Sequence, residues 1–115
     1  MLPEKNRLKT DYDFRRIKQK GNAVHTHHFT LLYYLRDSQF ATPSRIGFIA
    51  SKKLDKRAVK RNRARRLMRE VIRDYLGKIK QGYDIILIAR PPIKDADYKE
   101  VNASFNKILP KVPFA

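Results

Sequence analysis

Residues 52–70 read KKLDKRAVKRNRARRLMRE, and ten of these nineteen residues are Lys or Arg. If the stretch is helical, at about 100° per residue, its apolar side chains form one stripe that consists of Ala64, Leu67, Met68, Val71, Ile72 and Tyr75. The polar side chains then form a flank that consists of Asn62, Arg65, Arg66, Arg69 and Arg73. The pattern predicts a long helix, roughly residues 58–78, with one side in the core and one side free to bind a polyanion.

The charge of the whole chain agrees with that prediction. The sequence has 27 Lys and Arg against 11 Asp and Glu, which gives a formal net charge of +16. A charge run is ordinarily a solvated helix face, but like charges such as Arg61 and Arg65 would repel one another at i,i+4 in the free protein. Arginine also predominates in the helix, and its guanidinium suits bidentate phosphate contacts and base stacking. We therefore expect this chain to bind nucleic acid.

Length and composition narrow the class of protein further. The 115 residues suit one RNA-binding domain, residues 1–115. The longest apolar run, residues 85–89, is far below the roughly 20 residues of a membrane span, and residues 1–7 lack the apolar core of a signal peptide. The chain contains no cysteine, which excludes disulfides and thiol catalysis. We expect a cytoplasmic protein with no membrane partner and no small-molecule substrate.

Two further helices are predicted from their caps. Residues 1–9 should form an irregular, flexible basic arm, after which Thr10 caps a helix over residues 11–20 that ends at Gly21 as a C′ residue. A last helix should begin at Asp97, with Glu100 completing the cap.

Three strands are predicted from aromatic and β-branched runs. The first covers residues 29–35 and could begin as early as Val24. A loop at residues 37–44 leads to a second strand at residues 45–51, in which Gly47 indicates a bulge or a close approach of another backbone. Residues 83–89 are continuously apolar apart from Asp84, as in an interior strand. The order of elements predicts an α+β fold, an α/β sandwich with a small mixed sheet, whose strand–helix–strand crossover is right-handed by default.

Aromatic residues favour single-stranded RNA over duplex DNA. Phe14, Tyr33, Tyr34 and Phe48 should adjoin the basic helix, and rings beside a cationic groove commonly stack unpaired bases. Most of these rings are expected in the core. If the strand face with Thr30, Leu32 and Tyr34 is open, Tyr34 is the expected stacking residue.

No catalytic residue and no metal ligand is predicted. Asp11 and Asp13 are explained as charges at a helix N-terminus. His25 and His27 would share a strand face, but two histidines without a nearby Cys or carboxylate make a poor metal site. A polar strand start is therefore favoured there.

Residues 61–70, RNRARRLMRE, resemble the signature of the bacterial ribonuclease P protein subunit, Arg-Asn-Arg-x-Lys-Arg-x-x-Arg-Glu, with Arg65 where Lys is usual. Residues before and after the signature agree in order with the same family, and they are Asn6-Arg7-Leu8, Asp13-Phe14, Gly21, Gly47, Ser51-Lys52-Lys53 and Tyr83-Asp84. The resemblance covers nearly the whole chain.

The resemblance implies a fold and a function. The fold is a sandwich with a left-handed crossover, like the second domain of ribosomal protein S5. The function is that of the accessory subunit of ribonuclease P, which assists endonucleolytic removal of the 5′ leader of precursor tRNA. Catalysis then belongs to the RNA subunit with its Mg²⁺, and the protein itself binds no cofactor. The alternative is a structural RNA-binding protein of the ribosome with no role in cleavage.

The resemblance also implies two sets of binding residues. Contacts to the ribonuclease P RNA subunit are expected from Lys52, Lys53, Arg57, Arg61, Asn62, Arg63, Arg65, Arg66, Arg69 and Arg73. A cleft for the single-stranded leader is expected from Phe14, Lys18, Thr30, Leu32, Tyr34, Arg61, Asn62 and Arg65. Lys18 and Leu32 depart from the family, since some members carry aromatic residues at these positions, and Tyr34 could substitute for the ring missing at Leu32.

Overall fold

The computed structural model describes residues 2–115. Three helices and four strands follow one another as α1 (Asp11–Lys20), β1 (Asn22–His25), β2 (Phe29–Leu35), β3 (Arg45–Ile49), α2 (Ala58–Tyr75), β4 (Tyr83–Ala89) and α3 (Tyr98–Ile108). Short 3₁₀ turns lie between and beside them. Within the described residues, no helix is both long and apolar enough to cross a membrane.

The strands form one mixed sheet in the order β1-β2-β4-β3. The pairs β1–β2 and β2–β4 are antiparallel, whereas β3 and β4 are parallel and are connected through α2. The α+β class with a small mixed sheet is therefore confirmed, and β4 is the interior strand that its apolar sequence predicts. The hand of the crossover stays an expectation from the resemblance.

The two faces of the sheet are covered unequally. One face packs against α2 and α3 in the main core, which includes Phe29, Leu31, Leu87 and Phe105. The other face has a smaller cluster centred on Leu8, Ile17 and Ile86, which lies under the ten-residue helix α1. Because α1 is short, Thr30, Leu32, Ile49 and Ile88 on this second face stay only partly buried. We call these four residues the open sheet face.

The long helix and its apolar stripe are confirmed. Ala64, Leu67, Met68, Val71 and Ile72 are all buried, and Tyr75 is partly buried against the same core. The helix ends at Tyr75, and a 3₁₀ turn at Leu76–Lys78 completes the predicted range.

Both predicted caps are present. The Thr10 hydroxyl accepts a hydrogen bond from the Asp13 backbone N–H at 3.2 Å, and Asp97 and Glu100 form a reciprocal capping box. Gly21, however, is extended at φ −75° rather than left-handed. A Cβ at this position would lie 2.5 Å from the Ile17 carbonyl oxygen, so close packing explains the glycine.

Two expectations about chain segments are corrected, and one is confirmed. The segment from Val24 to Leu35 is not one strand: β1 and β2 form a hairpin, and the Thr26 hydroxyl at its turn accepts from the His28 and Phe29 backbone N–H groups. The predicted loop at residues 37–44 is present and connects β2 to β3, which run antiparallel and are separated in the sheet by β4. Gly47 sits in regular β3 without a bulge, and its close neighbour is the ring of Phe14 rather than another backbone.

The N-terminal segment is also more ordered than an irregular arm. Residues 4–6 form a 3₁₀ turn, and the Leu8 backbone N–H donates to the Ile46 carbonyl at 3.0 Å. Leu2 and Leu8 are buried, and the Asn6 side chain donates to the Ser44 carbonyl at 2.8 Å. Apolar burial and main-chain pairing thus hold residues 2–8 along the edge of β3. Met1 lies outside the described residues.

Candidate nucleic-acid interface

The polar residues of α2 divide into two flanks and an outward side. Asn62, Arg66 and Arg73 lie on the side opposite the apolar stripe. Arg65 and Arg69 lie on the flank beside β3, whereas Arg63 lies on the flank beside α3 and the turn before it. The single polar flank expected from the sequence is therefore two surfaces, the outward side and the flank beside β3, and Arg63 lies on a third surface outside it.

Three of the signature arginines hydrogen-bond within the protein. Arg61 donates to the Asp55 and Lys56 carbonyls at 3.1 and 2.8 Å. Arg63 donates to the Lys94 and Ala96 carbonyls at 3.3 and 2.7 Å.

Arg65, the third of these arginines, joins α2 to the end of β3. It donates to the Ala50 carbonyl at 2.9 Å and to the Asn62 side-chain oxygen at 2.8 Å. These three arginines therefore fix the N-terminal half of α2 to the loops around it. Sequence reasoning missed this structural role of Arg63 and Arg65 because their carbonyl partners are distant in the chain and leave no local pattern.

The outward arginines have no such partners, whereas the Asn62 side-chain oxygen accepts from Arg65. Arg66 and Arg73 make no ion pair or side-chain hydrogen bond within residues 2–115, and the same is true of the exposed Lys52 and Lys53 before the helix. Arg57 differs, because its guanidinium pairs with Asp55 at 2.9 Å. Hydrogen bonds from Arg57 hold the pKa of the Asp55 carboxyl well below its usual range. The outward side of α2 is thus a cationic surface with its charges free.

A pocket of about 210 Å³ lies at the edge of β3, between α1 and α2. Phe14 and Gly47 line it on one side of the strand, and Phe48 and Arg69 line it on the other. The Arg69 guanidinium carbon lies 5.7 Å from the centre of the Phe48 ring. Arg7 also lines this pocket. We call this site the β3-edge pocket; it combines two half-buried rings with two cations, as a site for an unpaired base and its phosphate requires.

The predicted cleft residues are not all neighbours. Lys18 is exposed one turn after Phe14, on the same flank of α1. Leu32 packs against the small cluster, and the Thr30 hydroxyl lies 3.1 Å from His25 Nδ1. Thr30 and Leu32 belong to the open sheet face, whereas Arg65 and Asn62 lie near Ala50, just after the end of β3.

Tyr34 and Phe14 lie on opposite sides of α1. The Arg16 guanidinium carbon is 5.4 Å from the centre of the Tyr34 ring. Arg16 and Phe14 are two residues apart on a helix, about 200° around its axis, so they occupy opposite flanks. The structure therefore does not bring Tyr34 together with Phe14. Strand periodicity could not show this, because it defines a face of the sheet and not where a helix crosses that face.

A buried ion-pair network beneath α1 was also missed. Asp84 is fully buried at the start of β4 and receives hydrogen bonds from Arg16, Arg36 and Arg45. Arg45 binds it in a bidentate manner, at 2.9 and 2.8 Å. The signal was available, because a carboxylate inside a strand covered on both faces must be paired, but the sequence does not name its partners.

Asp13 extends this network to α1. It pairs with Arg16 at 3.0 Å and Arg45 at 3.3 Å. A hydrogen bond from the Thr10 hydroxyl, with the positive charges of Arg45 and Arg16, lowers the pKa of the Asp13 carboxyl below 3.8. The network thus ties the helix that carries Phe14 to β3 and β4.

A pH dependence follows from Asp13. Because its pKa is lower in the folded than in the unfolded state, its contribution to stability is present above 3.8 and is lost as the pH falls through the folded value. We expect Thr10→Ala to raise the Asp13 pKa towards 3.8, whereas Thr10→Ser should retain the low value. NMR titration of the Asp13 carboxyl carbon measures both, and equal pKa values in the two variants would show that the hydroxyl is not the main cause.

The histidines have separate partners. His28 is buried, and its Nδ1 lies 2.6 Å from the Ser104 hydroxyl oxygen. Burial, together with the nearby His27, lowers the pKa of His28. His25 instead contacts Thr30. Among residues 2–115, no three His, Cys, Asp or Glu side chains are grouped so that they could hold a metal ion.

Fold and site together define a class of small, basic α+β proteins in which an arginine-rich helix connects two parallel strands of one mixed sheet. Solved structures share this fold. The Staphylococcus aureus RNase P protein superposes with a TM-score of 0.79 at 32% identity, covering 95% of this chain and 96% of that one. The RNase P protein from Thermotoga maritima gives 0.78 at 26% identity, covering 92% and 96%.

Sequence comparison also matches this chain to ribonuclease P proteins, over almost the full length of the chain. The family model described as Ribonuclease P matches residues 2–113. The ribonuclease P protein component of Alkaliphilus metalliredigens is 36% identical over 111 residues, 96% of each chain, and that of Clostridioides difficile is 39% identical over 103 residues, 89% of this chain and 87% of that one. The chain belongs to the ribonuclease P protein component family. It is thus the protein part of an endoribonuclease complex of tRNA processing.

Proposed function

We propose that this chain binds the ribonuclease P RNA subunit through the outward side of α2 and holds the single-stranded 5′ leader of precursor tRNA beside it. The proposal rests on one observation: some arginines of α2 are hydrogen-bonded within the protein, whereas others are not. Arg61, Arg63 and Arg65 fix the helix to the protein, which leaves Arg66 and Arg73 without protein partners among the described residues. A helix held rigidly with free guanidinium groups is a preformed surface for phosphates.

The leader is assigned to the β3-edge pocket and the adjoining open sheet face. Phe14 and Phe48 offer rings for stacking, and Arg7 and Arg69 offer charge for phosphates. Lys18 is exposed on the same flank of α1 as Phe14. It can therefore contact the phosphate backbone of an RNA leader that continues past the pocket. Unpaired RNA is recognised by this combination of stacking and charge.

Catalysis is assigned to the RNA subunit and its Mg²⁺ rather than to the protein. A Mg²⁺ site needs carboxylate oxygens free to coordinate, and the buried carboxylates of Asp84 and Asp13 are already bound by arginines. The residues of this chain do not fit a magnesium site at that position. Their proposed role is to bind and orient RNA, and we propose that the protein does so in the cytoplasm.

Reconstitution tests the function. Ribonuclease P RNA at low Mg²⁺ should cleave precursor tRNA faster when this protein is added, and the gain should shrink when the leader is trimmed. The ribosomal alternative shares the charge and predicts no gain. Absence of any rescue would contradict the proposal.

The free arginines of α2 allow a sharper test. Arg66→Ala combined with Arg73→Ala should weaken binding of the RNA subunit and reduce the slope of log K against log salt by about 0.7–0.9 for each phosphate that is no longer neutralised. Stability should change little, because both side chains lie on the outward side of the helix. Binding isotherms at several salt concentrations measure the slope.

A matched control removes the same charge elsewhere. Lys99→Ala combined with Lys107→Ala takes two cations from α3 and should leave most of the slope intact. If both double variants changed the slope equally, net charge rather than the α2 surface would account for RNA binding.

A further inference from the structure

A second aromatic and cationic surface lies on the flank of α1 opposite the β3-edge pocket. It is formed by Tyr12, Arg15, Arg16, Gln19 and Lys20, which line a cavity of about 250 Å³. We call these five residues the outer α1 patch. Spacings of three and four residues place them on one side of the helix. The main core and the β3-edge pocket use none of them.

Tyr12 is 67% exposed, which is unusual for so large a ring. The Arg16 guanidinium carbon lies 5.5 Å from the centre of this ring. The same guanidinium lies 5.4 Å from the Tyr34 ring. Tyr12, Arg16 and Tyr34 therefore form a stack whose outermost ring, Tyr12, is largely open to solvent.

The Arg16 guanidinium, in the middle of this stack, is held in place by two carboxylates. Arg16 Nη2 donates to Asp13 at 3.0 Å and to the fully buried Asp84 at 3.2 Å. Because these carboxylates fix the guanidinium, the ring of Tyr12 has a rigid support. Binding to such a preorganised ring costs less conformational entropy than binding to a mobile one.

All the charged residues of the outer α1 patch are cationic. Arg15, Arg16 and Lys20 are cationic, and none of the five lining residues is acidic. The neighbouring Asp13 and Asp84 are engaged by arginines. A ligand that meets this surface is therefore expected to carry negative charge and a flat apolar group.

We propose that the outer α1 patch binds a nucleotide of single-stranded RNA, with a base stacked on Tyr12 and the adjoining phosphates near Arg15 and Lys20. Stacking requires an unpaired base, which excludes the interior of a duplex. The inference rests on the proposed RNA-binding function and adds a second contact site, separated from the β3-edge pocket by the width of α1, about 10 Å. The nucleotide can come from the distal leader or from an unpaired segment of the RNA subunit.

Binding of a fluorescent oligouridylate to the full-length protein tests the site. Tyr12→Ala should weaken this binding at least about fivefold, the lower end of what stacking on one ring contributes. Tyr12→Phe keeps the ring and should bind like the unchanged protein. Phe40→Ala removes another exposed aromatic residue, in the loop between β2 and β3, and should have no effect.

Binding measurements with the holoenzyme distinguish the two possible sources of the nucleotide, the distal leader and the RNA subunit. If the distal leader occupies the patch, Tyr12→Ala should weaken binding of precursors with long leaders and leave those with short leaders unchanged. If the RNA subunit occupies it, the variant should instead bind that subunit less tightly, whatever the leader length. Either result supports the site.

The possible failures are distinguishable. If the unchanged protein binds oligouridylate and Tyr12→Ala binds it equally well, the outer α1 patch is not an RNA site, although the proposed function stands. If Tyr12→Phe loses as much affinity as Tyr12→Ala, the contact is not stacking and the inference is overturned. If the unchanged protein binds neither the oligonucleotide nor the RNA subunit, the proposed function fails and the patch with it.

Discussion

Asp84→Asn is expected to lower the free energy of unfolding by about 3–5 kcal/mol, the usual cost of removing one partner from a buried ion pair. Asp84 is fully buried and receives hydrogen bonds from Arg16, Arg36 and Arg45. The asparagine would keep the shape of the side chain but leave three guanidinium groups close together without the central negative charge. In a chain with a net charge of +16, that repulsion adds to an existing excess.

Urea unfolding followed by linear extrapolation measures this change without adding salt. Glu4→Gln is a suitable control, because it breaks the exposed ion pair between Glu4 and Lys9 and should change stability little. A similarly small effect of Asp84→Asn would show that water, rather than Asp84, compensates the three arginines.

The effect of Asp84→Asn should also extend to RNA binding. Arg45 joins Asp84 to Asp13 on α1, and Arg16 joins the same two carboxylates. Since α1 carries Phe14 on one flank and Tyr12 on the other, loosening this network would release both rings from their positions. The network is thus a structural support for the proposed RNA contacts.

Gly47→Ala is expected to displace Phe14 and thereby to weaken leader binding. A Cβ at Gly47 would lie 2.4 Å from Cζ and 2.6 Å from Cε1 of the Phe14 ring, distances that van der Waals contact does not allow. Phe14 is only partly buried, so the ring can turn outward. We expect a stability loss of about 1–3 kcal/mol, which is typical of overpacking, and a loss of leader affinity of about 1–3 kcal/mol from the missing stacking partner.

A double-mutant cycle shows whether Gly47 acts through Phe14. Phe14→Ala alone should weaken leader binding by a similar amount, and the combination with Gly47→Ala should add little, because both changes remove the same ring. Precursor tRNA with and without its leader provides the measurement. Additive effects would show that Gly47 contributes independently of Phe14.

The elements that the sequence predicted well are those specified by local chemistry. Helix α2 has both an apolar stripe and a signature segment, β4 is apolar apart from Asp84, and Thr10 and Asp97 are strong N-caps. The errors lie where local patterns are weak. The β1–β2 hairpin turns at Thr26, which is not a typical turn residue, and residues 2–8 are held by burial of Leu2 and Leu8 and by pairing with a strand distant in sequence.

In the candidate site, too, some features follow from local sequence and others only from the fold. Sequence alone determined that the chain is basic, that α2 has an apolar side and a cationic side, and that the signature resembles one family. Which arginines are free was decided by the fold, because Arg61, Arg63 and Arg65 bond to carbonyl groups brought near by loops.

Tertiary structure alone also placed Tyr34 away from Phe14, by laying α1 across the sheet between them. It gathered Arg16, Arg36 and Arg45 around Asp84 from three separate segments. Helix and strand periodicity fix which side of an element a residue occupies, since that depends only on the backbone geometry of the element. What lies opposite that side depends on long-range packing, which no local pattern specifies.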